Sequence, residues 1–292
     1  MQHSISNSHL QVSVLSKGTE ISSIKSKKTG VEYMWNADSN IWNSHAPVLF
    51  PIIGSLKNNE CNINGKTYKI PKHGFIRNNE ALILTNRTDE ELNFQLDYSE
   101  QSLGMFPYKF RFNISFQLQG HKLIVSHRVE NLDSKEMFFS LGAHPGFKCP
   151  LNEGESYDDY YLEFEMEENA VTSLLSSDGL ITDQTKQILS DTNKLPLSPE
   201  LFNNDALIFK ALKSQQVSLK SHKSNQCITV DFSDFDYLGI WAKPNAPFIC
   251  IEPWLGIADH ENSEGDFLKK DGLIPLPESQ VFTAQYSIEI GV

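Results

Sequence analysis

The feature that most constrains the fold is a strict alternation of apolar and polar side chains over residues 110–119. A period of two is typical of a β-strand with one buried face. Gly120-His121 follows at once and is predicted to form a tight hairpin turn, because glycine adopts positive φ without strain. A second strand is predicted directly afterwards, over Lys122–Val129. The apolar positions of the first strand are Phe110, Phe112, Ile114, Phe116 and Leu118.

Further short strands are predicted along the chain, with turn residues such as Lys28-Thr29-Gly30 and Asn64-Gly65 between them. Convincing amphipathic patterns of about ten or more residues are absent, so long helices are not expected. Strands that follow one another without helices predict an all-β antiparallel sandwich or barrel, in a single domain over 1–292. The polar stretch Ser173–Pro199 is interpreted as long loops or a short insertion. The other predicted strands are Leu10–Leu15, Glu20–Ser26, Val31–Trp35, Leu82–Thr85, Glu91–Tyr98, Met137–Leu141, Tyr160–Met166, Val217–Lys220, Cys227–Phe232, Leu238–Trp241, Phe248–Ile251 and Phe282–Ile290.

The net charge of −12 over 292 residues narrows the range of partners. An acidic chain repels phosphate backbones and anionic lipids, so neither nucleic acid nor a membrane is expected as a partner. A small anionic substrate stays open, because local cations decide its binding. The N-terminus lacks a basic segment followed by an apolar run, and no apolar stretch of about 18 residues occurs. Neither a signal peptide nor a transmembrane helix is therefore predicted.

The cysteines are scattered and form no CxxC pair, so a zinc ribbon or a redox motif is not expected. Reduced cysteine in an apolar strand behaves as a small hydrophobe, and a reducing cytoplasm is the simplest location. The four positions are Cys61, Cys149, Cys227 and Cys250.

One carboxylate stands at the end of a fully apolar strand. Glu252 follows the predicted strand Phe248–Ile251 and precedes Pro253-Trp254. Burial disfavours the ionised form of a carboxyl group, so carboxylates in half-buried aromatic sites can serve as general acids or bases. The alternative is a strand-end glutamate that faces water or pairs with a lysine.

Two histidines lie in similar surroundings, beside glycine or proline. His73 stands in Lys72-His73-Gly74-Phe75, and His144 stands in Ala143-His144-Pro145-Gly146-Phe147. His144 follows the predicted strand Met137–Leu141, so its imidazole is expected where a sheet ends. Histidine is the usual acid or base near neutral pH, although a loop histidine also serves commonly as a surface or hydrogen-bonding residue.

Taken together and in order, these segments resemble the aldose 1-epimerase (galactose mutarotase-like) family, closest to its bacterial LacX-like branch. The resemblance covers most of the chain. It implies a large antiparallel β-sandwich, the galactose mutarotase-like supersandwich, with an open sugar-binding cleft on a concave face. The segments that carry it are Tyr33-Met34-Trp35-Asn36-Ala37-Asp38, Ala46-Pro47-Val48-Leu49-Phe50-Pro51-Ile52-Ile53-Gly54, His73-Gly74-Phe75, Gly142-Ala143-His144-Pro145, Asn204-Asp205-Ala206-Leu207, Leu238-Gly239-Ile240-Trp241, Ile251-Glu252-Pro253-Trp254 and Leu276-Pro277-Glu278.

The resemblance also implies an activity and residue roles. It implies interconversion of the α and β anomers of a free hexose, without cofactor. Glu252 would be the base, His144 the acid on the opposite side of the sugar, and His73 a donor to the region of the ring oxygen. Asp205 would bind sugar hydroxyls, although locally it also fits a turn aspartate. Trp241 is a candidate apolar face for the sugar, with a buried core tryptophan as the alternative.

The sequence departs from many relatives after the Phe-Pro-Ile strand. Ser55 occupies the place of an arginine that contacts the sugar, and Lys57 stands two positions later, as in LacX-like sequences. Lysine cannot make the two-pronged contact of arginine, so the identity of the sugar stays open. Lys57 and Arg77 are candidate substrate-binding cations, and related branches of this fold act on hexose 6-phosphates.

Three other functions are weighed against mutarotation. A catalytically silent sugar-binding protein on the same fold stays open, since fold alone does not give function. A glycoside hydrolase needs two carboxylates that flank the scissile bond, and the sequence offers one well-placed carboxylate. A metal site is not expected, because compact ligand spacings such as HExxH are absent and Asp259-His260-Glu261 is interpreted as a solvated loop.

The oligomeric state is not predicted from the sequence, and both a monomer and a homodimer stay open.

Overall fold

The chain is described by a computed structural model that covers residues 1–291. Strands dominate, and the described residues contain one α-helix, α1, at Glu100–Met105, with 3-10 helices at Lys57–Asn59, Ile76–Asn78, Tyr157–Asp159 and Phe267–Lys269. The strands are β1 Gln2–Ser6, β2 Leu10–Leu15, β3 Ile21–Ser26, β4 Val48–Leu49, β5 Cys61–Ile63, β6 Lys66–Tyr68, β7 Ile83–Arg87, β8 Glu91–Asp97, β9 Phe110–Gln119, β10 Lys122–Asn131, β11 Met137–Phe139, β12 Leu141–Ala143, β13 Gly146–Lys148, β14 Tyr160–Leu175, β15 Ile181–Pro196, β16 Leu207–Lys210, β17 Gln216–Ser221, β18 Cys227–Asp231, β19 Tyr237–Trp241, β20 Phe248–Leu255, β21 Ile274–Leu276 and β22 Val281–Gly291.

The largest sheet is antiparallel and has nine strands in the order β15-β14-β17-β18-β22-β10-β9-β8-β7. Strands β9 and β10 form the predicted hairpin, with Gln119 opposite Lys122 and Gly120 at φ +59°. The alternation is also confirmed, because every second side chain of β9, beginning at Phe110, is buried. One face of this sheet therefore lies on the core, while its other face is polar.

A six-stranded antiparallel sheet packs against the buried face of the nine-stranded sheet. Its order is β16-β19-β20-β12-β4, with β13 also paired to β20. Phe50, directly after β4, joins the two sheets, because its ring centroid lies 5.2 Å from those of both Phe110 and Phe112. The remaining sheets are β1-β2-β3, β11-β21 and β5-β6. The fold is the predicted all-β assembly of antiparallel sheets.

Strand β20 is the innermost strand of the six-stranded sheet, and all eight of its residues are buried. The sequence predicted a strand that stops at Ile251, but pairing continues through Pro253 to Leu255. Glu252 is therefore not at the tip of its strand. It lies inside the strand, opposite Gly239 of β19.

The prediction of loops over Ser173–Pro199 is wrong. Strands β14 and β15 each span 16 residues and pair as a long hairpin with several bulges. Most residues of β15 are polar, and consecutive residues are exposed over 183–187, so no period of two marks it as a strand. The hairpin end folds back onto the body of the protein, where the Ile181 N–H donates to the Asp259 carbonyl at 2.8 Å.

One smaller expectation also differs from the structure. The predicted strand Val31–Trp35 contributes only isolated bridges at Glu32 and Met34. None of the helices within residues 1–291 is long and apolar enough to cross a membrane.

Candidate functional site

The candidate site is built on Glu252, a buried carboxylate on the six-stranded sheet. Its exposed fraction is 1%. Strand β19 can run beside it closely because position 239 is glycine, where a Cβ would lie 2.7 Å from the Trp254 ring. Within residues 1–291, Glu252 Oε2 makes no hydrogen bond. A buried carboxylate oxygen with an open lone pair is unusual and is available to a ligand.

His144 faces this carboxylate from the end of β12. Its Nε2 lies 3.2 Å from Glu252 Oε2. Strand β12 stops at Ala143 because Pro145 lacks an N–H for the ladder. The imidazole stacks on Trp42, with ring centroids 5.0 Å apart and planes at 30°. The stacked Trp42 ring restricts the orientation of the imidazole, as a proton-transfer residue requires.

His73 forms the adjacent wall, with its ring centroid 5.7 Å from that of His144. Its backbone is in the left-handed region at φ +66°, and Gly74 follows at φ +74°. Only glycine fits at position 74, since a Cβ there would lie 1.9 Å from the Phe50 carbonyl oxygen. The Gly54 N–H donates to His73 Nδ1 at 3.2 Å, so the neutral ring carries its proton on Nε2. His73 is thereby a hydrogen-bond donor.

These three side chains lie in a cavity of about 550 Å³. The cavity is large enough for a small organic ligand. Strand β14 and the following turn supply part of its wall through Leu175 and Gly179, so the unpredicted hairpin belongs to the site. The lining residues are Trp42, Ile53, Gly54, Lys72, His73, Arg77, His144, Leu175, Gly179, Phe202, Asn203, Asp205, Ala206, Ile208, Trp241, Pro244, Glu252, Trp254 and Ala258.

Most of the predicted site residues reach this cavity. Asp205 lines it from the exposed turn before β16, with φ +71°, so both its turn character and its place in the cleft are observed. Trp241 is half-buried and lines the cavity, so the alternative of a fully buried core residue does not apply. Arg77 is half-buried and also lines the cavity.

Lys57 is not among the residues that line the cavity. Its Nζ donates to the Ser263 carbonyl at 2.9 Å, and its backbone N–H donates to Asp259 Oδ2 at 3.0 Å. Asp259 is buried beside Lys270, with 3.2 Å between carboxylate and ammonium, so its assignment to a solvated loop is wrong. Lys57 therefore braces the chain next to the site, and we do not include it among the proposed binding residues.

Lys72 and Trp42 are among the lining residues that sequence reasoning missed. Lys72 directly precedes His73, so it could have been predicted as a site residue from its place in the same motif. Trp42 lies in an irregular segment between Trp35 and β4, where no periodicity marks a buried face. Its role is visible only in three dimensions, where it contacts His144, Trp241 and Phe248.

Burial controls the protonation of the pair. It raises the pKa of Glu252 well above its usual range, and the Asp205 carboxylate adds to the rise. It lowers the pKa of His144 to about 3, with a further contribution from the Arg77 charge. Burial and the neighbouring His144 likewise hold the pKa of His73 well below its usual range. The uncharged forms of all three groups are therefore favoured in this cavity.

His144, Glu252 and Cys250 also form a group of potential metal ligands, whose ligand atoms lie within 4.8 Å of one another. Burial raises the pKa of Cys250 well above its usual range, and the Glu252 charge adds to this rise. All three residues belong to the cavity wall or lie directly behind it, and we propose no metal at this position.

A comparison with known proteins agrees with this geometry. The sequence profile described as aldose 1-epimerase matches residues 1–272. The chain belongs to the aldose 1-epimerase family, whose description indicates an isomerase that acts on sugars.

Particular relatives are also similar over nearly their whole length. Protein LacX, plasmid, of Lactococcus lactis subsp. lactis is 36% identical over an alignment of 274 residues, and the match covers 91% of this chain and 91% of its own. The structure of a galactose mutarotase related enzyme from Lactobacillus acidophilus superposes with a TM-score of 0.95 at 35% identity, and covers 100% of this chain and 98% of its own. A galactose mutarotase-like protein from Lactobacillus casei gives 0.94 at 29% identity, with full coverage of both chains.

Proposed function

We propose that this protein is an aldose 1-epimerase that interconverts the α and β anomers of a free hexose. The observation that carries the proposal is the pair Glu252–His144, 3.2 Å apart, inside a cavity of about 550 Å³. A carboxylate and an imidazole are the two side chains best suited to proton transfer near neutral pH.

The geometry suits the two oxygens that take part in the reaction. The hydroxyl O1 and the ring oxygen of a pyranose are both bonded to C1, so an acid and a base that serve them must lie close together. Glu252 removes the O1 proton, the C1–ring oxygen bond breaks, and His144 protonates the ring oxygen. After rotation about C1–C2 the ring closes on the opposite face, while His144 recovers its proton and Glu252 returns one to O1. The acid and the base are neighbours at one wall of the cavity, whereas the family resemblance implied that they lie on opposite sides of the sugar.

The pair needs only one proton to work. Burial favours protonated Glu252 beside neutral His144, while the reactive form is the carboxylate beside the imidazolium. Transfer of one proton between Oε2 and Nε2 converts the first form into the second. Coupled groups of this kind titrate as a pair, so activity is expected to be flat across neutral pH.

The other lining residues supply binding. His73 donates from Nε2 to a sugar oxygen, and Asp205 accepts from sugar hydroxyls at the cavity edge. Trp42 and Trp241 meet at 76°, with ring centroids 5.6 Å apart, and offer an apolar corner to the C–H face of the sugar. The reaction so described needs no cofactor.

A hexose 6-phosphate is the second candidate substrate. Lys72 and Arg77 both line the cavity, and the salt bridges found within residues 1–291 use other cations. Two cations that form none of these salt bridges can bind a phosphate group. This substrate would place its phosphate beside the His73 wall.

We also propose a cytoplasmic location. All four cysteines are free, and three of them are buried in the core, as expected of a chain that folds under reducing conditions.

Polarimetry of freshly dissolved α-D-glucose and α-D-galactose, with and without purified protein, tests the function. Glucose 6-phosphate is followed by NMR in the same way. Acceleration with one of these sugars supports mutarotation and identifies the class of substrate. A folded protein that accelerates none of them, but whose tryptophan fluorescence responds to sugar, would instead be a carbohydrate-binding protein without catalysis.

A further inference from the structure

A carboxylate outside the cavity holds the backbone next to His144. Glu20 precedes β3 and is 9% exposed. Its Oε1 accepts from the backbone N–H of His45 at 2.6 Å and of Ala46 at 2.8 Å. A side chain that binds two backbone N–H groups so far along the chain fixes the position of that segment relative to the N-terminal sheet.

The segment 45–47 in turn supports the loop that carries the imidazole. The His144 N–H donates to the Pro47 carbonyl at 3.0 Å, and the Gly146 N–H donates to the His45 carbonyl at 2.8 Å. Position 146 must be small, because a Cβ there would lie 2.8 Å from the Trp42 ring. The backbone on both sides of Pro145 is therefore held by the segment that Glu20 holds.

The turn before Glu20 contacts the opposite wall of the cavity. The Gly18 N–H donates to the Asn79 carbonyl at 2.8 Å, and a Cβ at Gly18 would lie 2.4 Å from the Arg77 carbonyl oxygen. Glu20 thus stands between the segment that supports His144 and the one that carries Arg77. None of these hydrogen bonds involves a side chain that lines the cavity.

We propose that Glu20 is a positioning residue, which acts through segment 45–47 to hold the His144 imidazole at Glu252. The inference rests on the proposed function for its effect on turnover. Displacement of a catalytic group by about 1 Å can lower a rate about a hundredfold, so a distant anchor can matter to catalysis.

Three substitutions separate this role from general stability. Glu20→Gln keeps an acceptor oxygen at the same reach, Glu20→Asp withdraws the acceptor by one methylene, and Glu20→Ala removes it. The matched control is Glu168→Ala. Glu168 is 2% exposed and accepts from the Ser214 N–H at 2.7 Å, but it does not line the cavity.

We expect kcat to fall about tenfold or more in Glu20→Asp and Glu20→Ala, with KM changed less than about threefold, because the sugar contacts remain. Glu20→Gln and Glu168→Ala should keep kcat within about threefold of wild type. Folded Glu20→Asp with wild-type kcat would overturn the proposal, as would an equal loss in Glu168→Ala. If Glu20→Ala does not fold, Glu20→Asp decides.

A second readout does not depend on turnover. The His144 Cε1–H signal in NMR, identified by its loss in His144→Gln, is expected to shift in Glu20→Asp and to stay in place in Glu168→Ala. An unmoved signal in Glu20→Asp would contradict the positioning role. Failure of the wild-type protein to accelerate any sugar would instead contradict the proposed function and leave this signal as the deciding measurement.

Discussion

Two buried histidines occupy very different regions of this protein. His127 lies on the buried face of β10 in the nine-stranded sheet, between the rings of Phe112 and Tyr286 at centroid distances of 6.1 Å and 6.0 Å. His144 lies at the end of β12 in the six-stranded sheet. Burial lowers the pKa of both imidazoles, to about 4 for His127 and to about 3 for His144.

The difference between them lies in their neighbours. No charged group contributes to the pKa shift of His127, whereas His144 stands 3.2 Å from the Glu252 carboxylate. A depressed pKa alone therefore does not identify a functional histidine. A neighbouring side chain that can exchange a proton with the imidazole does so.

The carboxylate of the pair is the group whose loss should have the largest effect. Glu252→Gln keeps the shape of the side chain but cannot take a proton, so kcat is expected to fall by about a hundredfold to ten-thousandfold. Turnover is measured by polarimetry, and circular dichroism confirms the fold. Near-normal turnover in Glu252→Gln would show that this carboxylate is not needed for proton transfer, so it would no longer distinguish His144 from His127.

Loss of the His144 imidazole is expected to have the second-largest effect on turnover. His144→Gln is expected to lower kcat about a hundredfold, since an amide does not exchange protons near neutral pH. The thermal midpoint should change little, because His144 is at the cavity surface. Loss of the fold, rather than of turnover, would show that this imidazole is structural like that of His127.

Removal of the Trp42 ring, which stacks on His144, should have a smaller effect on turnover. Trp42→Leu removes the stacked face and part of the cavity wall, so we expect KM to rise about tenfold, with a smaller fall in kcat. Trp35→Leu is the control, because Trp35 packs in the same aromatic cluster without lining the cavity. An equal rise of KM in both variants would show that Trp42 acts only through packing.

The histidine of the nine-stranded sheet should matter least for activity. His127→Leu is expected to keep kcat within about twofold. The imidazole affects stability instead. In the unfolded chain His127 binds a proton below its usual pKa of 6.5, whereas in the folded chain it stays neutral down to about pH 4. The free energy of unfolding of the wild type therefore falls as the pH drops from about 6.5 to about 4.

The magnitude can be measured by urea unfolding near pH 7.5 and near pH 5. The wild type should lose about 2 kcal/mol more than His127→Leu between these two conditions. Equal losses would indicate that His127 is protonated in the folded protein and is not buried as a neutral ring.

Much of this comparison could be predicted from sequence, but not all of it. The hairpin of β9 and β10 follows from a period of two, and motifs around Glu252 and His144 led to residues that share one cavity. Trp42 and Glu20 could not be found in this way, because their roles depend on contacts with segments distant in sequence.

Two errors have a common physical cause. Lys57 was expected in the cleft, but its ammonium binds a carbonyl more than 200 positions away, which no local pattern shows. Strand β15 was expected as a loop because its exposed side chains give no alternation, although its backbone pairs with β14. Sequence patterns report burial faces, whereas these two features depend on long-range hydrogen bonds.

The central claim is that the Glu252–His144 pair transfers protons to and from a sugar, while burial alone gives His127 its low pKa. Two-dimensional exchange NMR on the anomeric protons of glucose and galactose measures this directly at equilibrium. The account predicts accelerated exchange with wild type and His127→Leu, and exchange at the uncatalysed rate with Glu252→Gln. Exchange in Glu252→Gln as fast as in wild type would contradict it.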